Sequence, residues 1–336
     1  MIAFMVMALL VLPGRSGTVQ TDSLWSPSLG VKKQYLVYLP SSYASNSARR
    51  YPVAFYLHGL WGDEWNWVKL GKLDLAMDSI TRHCDPPRAS RVTCEREMIV
   101  VMPDGDDGWY TTWNTLVNLA DCQRNPTGRK ESSASYCVPW PHYDDYIARD
   151  LVAHVDSTYR TIALRAHRGI AGLSMGGYGA FTLALRYPDV FAAAASHSGV
   201  LSPLYGGPRP FSLPVRYATD MGSLRAGWGD FWPWIYPAFG KDTAGWAARD
   251  PARLAKKLAT GTQGTQRMPA LRFDSGKDDK LVIDGNRALH AELSAMGIKH
   301  QFVEWPGEHD WDYWKSHVPE SLTWLASIIG APAERP

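Results

Sequence analysis

The sequence predicts an α/β protein, a mostly parallel, doubly wound sheet with helices on both faces. Three observations carry this. Short, continuous apolar runs recur along the 336 residues, as strands buried on both faces require. Helical periodicity fills the stretches between them. At 169–187 a strand, a glycine-rich turn and a helix follow one another without a break.

Met1 to Leu12 (MIAFMVMALLVL) is uninterrupted apolar and is followed by Pro13 and Gly14. Such a run is too short to span a bilayer but suits a signal peptide, so residues 1–16 are expected to be a leader and 17–336 a single domain. Lys33 to Leu39 alternates polar and apolar and predicts an antiparallel strand. Pro52 to Leu57 is a buried parallel strand ending at His58-Gly59, and a helical stretch follows to about Cys84. Met98 to Met102 is the next strand, broken by Pro103-Asp104-Gly105. Asp144 to Tyr159 places Ile147, Leu151 and Val155 at four-residue spacing behind an acidic start, which predicts a helix. After the strand and helix around Ser174 comes a strand at Phe191 to Ala195. Leu271 to Asp274 and Gln301 to Trp305 are strands flanking a helix that ends near Met296, with Gly297 at its C-cap. The last helical region starts near Asp310 and is expected to be interrupted at Pro319, where a second helix opens. Two irregular, tryptophan-rich insertions, at about 105–143 and 201–268, leave strand carboxyl ends and so reach one face.

The net charge of +2 and the lack of a basic run give no case for nucleic acid or a membrane surface as partner. No stretch after the leader is long enough for a transmembrane helix. Cys84 lies near Cys94 and Cys122 near Cys137, and the topology separates the two pairs, so disulfides 84–94 and 122–137 are expected in an oxidising compartment, secreted or periplasmic. Fifteen tryptophans gather in the loop-like segments, and Trp61, Trp65, Trp109 and Trp232 are the candidates for an aromatic-lined cleft.

Residues 169–177, Gly-Ile-Ala-Gly-Leu-Ser-Met-Gly-Gly, set Ser174 in the G-x-S-x-G pattern of a serine held on a tight corner above a helix N-terminus. Gly172 and Gly176 are required there because neighbouring backbone must come close. The competing reading is an ordinary βα turn that contains a serine. A nucleophilic serine needs a base and an acid to orient that base, in the chain order Ser, Asp or Glu, His. Asp278 and Asp279 follow the strand ending at Asp274, and His309 follows the last strand. A solvated loop of turn-forming aspartates would look similar. Of the ten histidines, His83, His154, His167, His290 and His300 fall at the wrong end or outer face, and His317 falls within the last helical region. His197, just after the sixth strand, is the competitor to His309. Backbone N–H groups of Met175 and of Leu60, in His58-Gly59-Leu60-Trp61-Gly62, are placed to receive an oxyanion. Asp104 to Gly108 (DGDDG) lacks EF-hand spacing and a closing Glu, so a solvated turn is expected and no metal is assigned.

With these residues the chain resembles the esterase D family of α/β-hydrolases, which includes S-formylglutathione hydrolases, feruloyl and acetyl-xylan esterases, and the antigen 85 mycolyltransferases. The resemblance covers about Gly17 to Ile329. It is carried by TVQTDSLWSPSLGVKKQYLVYLP, HGLWGDEWNW, MPDGDDGWYTTW, GLSMGGYGAF, GKDDKL and PGEHDWDYW. It implies the α/β-hydrolase fold with a mostly parallel eight-stranded sheet. It also implies Ser174 as nucleophile, His309 as base, Leu60 and Met175 as oxyanion donors, and no cofactor. The family acid lies three residues after the glycine and two before an apolar residue, which selects Asp279 through Gly276 and Leu281. The exported, disulfide-bearing character departs from a cytosolic S-formylglutathione hydrolase. The insertion with Trp228, Trp232, Trp234 and Trp246 matches no family motif.

The expected activity is therefore hydrolysis of an acyl, aryl or carbohydrate-linked carboxylic ester through an acyl-enzyme. An acyltransferase with the same triad is the nearest alternative. A peptidase and a non-catalytic binding module on a hydrolase scaffold are weaker ones.

Overall fold

A computed structural model of the chain describes residues 16–81, 96–115, 119–124, 133–138, 141–261 and 267–330. The leader expected at 1–16 (all but its last residue) and the expected Cys84–Cys94 bridge lie outside them.

The sheet has eight strands: β1 (Thr18–Ser26), β2 (Val31–Leu39), β3 (Val53–Leu57), β4 (Ile99–Pro103), β5 (Arg168–Leu173), β6 (Ala193–His197), β9 (Ala270–Gly276) and β10 (Gln301–Trp305), in the spatial order β1-β2-β4-β3-β5-β6-β9-β10. β7 (Tyr205–Gly206) and β8 (Arg216–Tyr217) form a separate two-stranded ribbon. β4, β3, β5, β6, β9 and β10 run parallel, while β1 and β2 form an antiparallel edge. This is the α/β-hydrolase fold. The chain passes from β3 to β4 on one side and then returns to β5 on the other, so β3 and β5 flank the topological switch point. There, connections diverge and leave a crevice at the carboxyl ends. Leu57 pairs with Gly172 at that point.

Alternate residues of each central strand enter opposite cores. Val53, Phe55 and Leu57 pack on one face of the sheet, Ala54 and Tyr56 on the other. Every residue of β3 is buried, which explains its unbroken apolar run. β1 has no counterpart among the runs picked out from the sequence. It is a half-exposed edge strand with Thr18, Gln20, Thr21 and Trp25 open to solvent, so it lacks a buried strand's signature.

Three expectations need correction. Pro319 does not divide the last helix, which runs unbroken over Trp311–Ile329. An interior proline costs about 3 kcal/mol, but Trp314, Val318, Leu322, Leu325 and Ile329 form one buried stripe across it, and losing half of that stripe would cost more. The Asp144–Tyr159 helix is present as Tyr143–Asp145 and Val152–Thr158 joined by a π-helical segment, Tyr146–Leu151. The second insertion is not irregular. It holds helices Met221–Trp228, Trp232–Phe239 and Pro251–Thr260, disguised in sequence by Pro233 and Pro237. Cys122 and Cys137 are bonded. Among the described residues no helix is long and apolar enough to cross a membrane.

Two consequences are measurable. Leu325 is fully buried against Gly169 and the sheet, so Leu325→Ala should lower unfolding free energy by about 2–5 kcal/mol in urea titration; a change under about 0.5 would contradict this packing. Asp250 caps Pro251–Thr260 by accepting from Arg253 N–H, and burial pushes its carboxyl up to about 7. A carboxyl raised in the folded state contributes stability below its unfolded value and loses it as pH rises through 7. Asp250→Asn keeps the cap acceptor without the titration. Its stability relative to the parent should therefore climb by about 1–3 kcal/mol between pH 4 and pH 8; a difference independent of pH would refute the buried titration.

Candidate active site

Ser174 sits where β5 hands over to the helix Met175–Arg186. Its backbone has φ 51° and ψ −115°, a conformation that non-glycine residues adopt only under constraint. The constraint is crowding. A Cβ on Gly172 would lie 2.4 Å from the Gly176 carbonyl carbon, and one on Gly176 would lie 2.4 Å from the Leu57 carbonyl oxygen. Both glycines allow the helix to start against the ends of β3 and β5. Ser174 N–H is anchored to the His197 carbonyl at 3.0 Å.

His309 follows β10, with its Nε2 3.0 Å from Ser174 Oγ and its Nδ1 2.7 Å from Asp279 Oδ2. A proton on Nδ1, donated to the carboxylate, leaves the Nε2 lone pair facing the serine hydroxyl. Asp279 is buried, and its Oδ1 accepts from the N–H groups of Leu281 at 3.1 Å and Val282 at 3.3 Å. Asp278 is exposed, and its side chain takes no part in this chain of bonds. The imidazole is braced edge-to-face against Trp314, with ring centroids 5.1 Å apart. A hydroxyl, an imidazole and a carboxylate in this order can deprotonate the hydroxyl as it attacks an electrophile.

His197 is not part of this arrangement. It is fully buried, with Nδ1 2.9 Å from Asp274 Oδ2 and Nε2 2.7 Å from Ser321 Oγ, tying β6 and β9 to the last helix. His317 stacks on Trp305 at 4.1 Å, as packing.

Ser174 opens into a cavity of about 280 Å³ whose lining includes Leu60 and Met175 beside Ser174 and His309. Met175 is the first residue of its helix, so its N–H belongs to the first turn, whose donors find no carbonyl within the helix. Of the tryptophans singled out from sequence, Trp61 and Trp109 line the cavity while Trp65 and Trp232 do not. Trp65 lies under the Lys69 ammonium, 4.3 Å from its centroid, and Trp232 packs on Tyr236. Within Trp232–Phe239, positions 232 and 234 are about 200° apart around the helix, so one ring faces the cavity and the other turns away. Phe231, Trp234 and Ile235 share the cavity side at helical spacing, and Trp228, Trp311 and Trp314 complete the wall. Trp311 and Trp314 could have been found from their three-residue spacing just after His309. The others required knowing that the insertion is helical. Trp246 is buried and donates to the Phe239 carbonyl at 2.6 Å, a packing role.

The segment Asp104 to Gly108 is not a solvated turn. Asp104 and Asp106 are buried around Lys33 Nζ, at 2.5 Å and 2.9 Å. Burial alone would raise the Asp104 carboxyl, but the Lys33 ammonium beside it holds it well below the usual carboxylate range. Among the described residues no three His, Cys, Asp or Glu side chains are grouped to hold a metal ion.

A family model for esterases matches residues 26–325. Esterase Rv1288 of Mycobacterium tuberculosis (strain ATCC 25618 / H37Rv) is 30% identical over 328 residues, covering 94% of this chain and 60% of that protein. The chain thus spans about 60% of that relative's length. Among solved structures, a ferulic acid esterase is 25% identical with TM-score 0.66, over 94% of this chain and 99% of that one. FphF, a fluorophosphonate-binding serine hydrolase of Staphylococcus aureus, is 22% identical with TM-score 0.65, over 93% and 99%, a likeness of fold.

Because the atoms that a Gly176 side chain would meet are backbone, they cannot rotate aside. Gly176→Ala should lower the melting temperature, with a loss of about 1–3 kcal/mol. An unchanged melting curve would contradict the crowding described at the switch point.

Proposed function

The chain belongs to the esterase family, and from that premise we propose that it is a serine hydrolase of carboxylic esters, with Ser174, His309 and Asp279 as its triad. The observation that carries this reading is the hydrogen-bonded chain from Ser174 Oγ through His309 to Asp279, opening on an apolar cavity. Ser174 Oγ attacks the ester carbonyl carbon while His309 Nε2 takes its proton. Asp279 holds the imidazole and stabilises the imidazolium that forms. The carbonyl oxygen becomes an oxyanion, received by the N–H groups of Leu60 and Met175. Collapse of this intermediate breaks the bond to the alcohol, which leaves with the proton from His309, and an acyl-Ser174 ester remains. A water molecule, deprotonated by His309, then attacks that ester. It releases the carboxylic acid and returns the proton to Ser174.

The aromatic wall favours an acyl, aryl or carbohydrate-linked ester with a flat apolar face toward Trp109 or Trp234. The Cys122–Cys137 disulfide supports a secreted or periplasmic setting.

Ser174→Ala should reduce p-nitrophenyl acetate hydrolysis to background. Asp279→Asn should lower kcat by about 10³–10⁴-fold, whereas Asp278→Asn should stay within about threefold of the parent because its side chain points to water. A fall at Asp278 with none at Asp279 would overturn the assignment of the acid. The same assay with an added sugar alcohol separates hydrolysis from acyl transfer: acid as the main product is expected, and a dominant transfer product would reverse that choice.

A further inference from the structure

β3 and β4 are parallel neighbours, so the turn 58–62 after β3 and the segment 104–110 after β4 leave the sheet side by side. The first turn carries Leu60, the proposed oxyanion donor. The second begins with the two aspartates that surround Lys33.

Lys33 lies on β2 and shares its inward face with Tyr35, where it is fully buried. Besides its two carboxylate contacts, Asp106 Oδ2 accepts from Tyr143 O–H at 2.6 Å and Asp104 Oδ1 accepts from Asp106 N–H at 2.9 Å. Stability is a poor reason for such a cluster, since apolar residues of similar volume often do as well or better. Its effect on geometry is direct. Asp106, Trp109 and Tyr110 all have positive φ, at 49°, 54° and 49°. Three left-handed non-glycine residues in one short segment persist only where the surroundings over-determine them.

From this locked segment three hydrogen bonds cross to the neighbouring turn. Gly105 N–H donates to His58 Nε2 at 2.9 Å, which fixes that nitrogen as an acceptor and puts the ring proton on Nδ1, 2.8 Å from the Gly59 carbonyl. Tyr110 O–H donates to the His58 carbonyl at 3.1 Å. Trp61 N–H donates to Asp107 Oδ1 at 2.7 Å, and Trp61 too has positive φ, at 62°. Leu60 therefore stands between two residues, each tied to the same rigid segment.

We propose that segment 104–110, locked on the buried Lys33, is a template that sets the oxyanion turn 58–62, and that Lys33 and Asp107 are positioning residues for the reaction. The proposal rests on the reading of Leu60 as an oxyanion donor. Neither side chain needs to touch substrate. Each acts through the backbone direction at Leu60, which matters because an oxyanion donor works only when aimed at the place where charge develops.

Asp107 is the better site for a test because it is only half-buried, whereas removing Lys33 would leave two carboxylates facing each other in the interior. Asp107→Ala deletes the acceptor for Trp61 N–H, and Asp107→Asn keeps an Oδ1 that can accept it. Steady-state kinetics on p-nitrophenyl acetate across pH, with melting temperatures, should show kcat of Asp107→Ala lowered by about tenfold, less than the full loss of a donor. Its KM should stay within about twofold and the pH profile should not move, because His309 and Asp279 are untouched. Asp107→Asn should recover most of kcat. A purely structural role would lower the melting temperature of both variants and leave kcat per folded molecule unchanged. The template is refuted if Asp107→Ala keeps the parent kcat, or if Asp107→Asn falls as far as Asp107→Ala. Ser174→Ala, assayed in parallel, separates the two failures: residual hydrolysis there sinks the esterase reading itself, while an inactive Ser174→Ala beside a fully active Asp107→Ala sinks only the template.

Discussion

Where β3 and β5 end, three stretches of backbone meet with no room for a side chain between them. Gly172 faces Gly176, and Gly176 faces the carbonyls of Leu57 and His58. The helix Met175–Arg186 can begin only because those contacts are bare, and its start forces Ser174 into positive φ. Much of the site follows from this crowding. The serine hydroxyl projects from a corner, the Met175 N–H stands at a helix N-terminus, and the turn after β3 is brought against both. Strain at Ser174 is tolerated because the surrounding sheet, buried on both faces, cannot relax around it.

The remaining parts reach this corner by topology and are fixed there by different forces. Asp279 and His309 leave β9 and β10, parallel neighbours, so a carboxylate and an imidazole arrive at the same edge and meet by a short hydrogen bond. The aromatic wall comes from the insertions and is held mainly by packing. The Trp109 indole Nε1–H donates to the Trp234 carbonyl at 2.7 Å, and its ring meets Tyr178 edge-on, joining the two insertions above the elbow helix. The segment after β4 is held by buried charge instead.

What could be read from the sequence divides along these lines. The elbow was legible because its glycines are dictated by backbone contact and sit at fixed spacing around Ser174. His309 was legible from chain order, and the choice between Asp279 and Asp278 came from the family resemblance, since turn composition treats both alike; burial distinguishes them in the fold. Lys33 was not legible. Strand alternation places it with Tyr35, but a lysine is rarely buried, and its partners lie 71 and 73 residues away. The same distance made DGDDG look like a solvated turn. Clustering in sequence does not say which tryptophans reach the cavity: Trp61 and Trp109 line it, whereas Trp65 and Trp232 lie off its wall. At Pro319 the local cost of an interior proline predicts a break, but the buried stripe that crosses it outweighs that cost.

Whether Ser174 is the activated nucleophile at the switch point can be read by intact-mass analysis after treatment with a fluorophosphonate, which traps nucleophilic serines covalently. A single adduct per chain is expected, mapped by fragmentation to the peptide containing Ser174, absent from Ser174→Ala and slowed in Asp279→Asn. A stoichiometric adduct on another residue, or none on the natively folded protein, would contradict it.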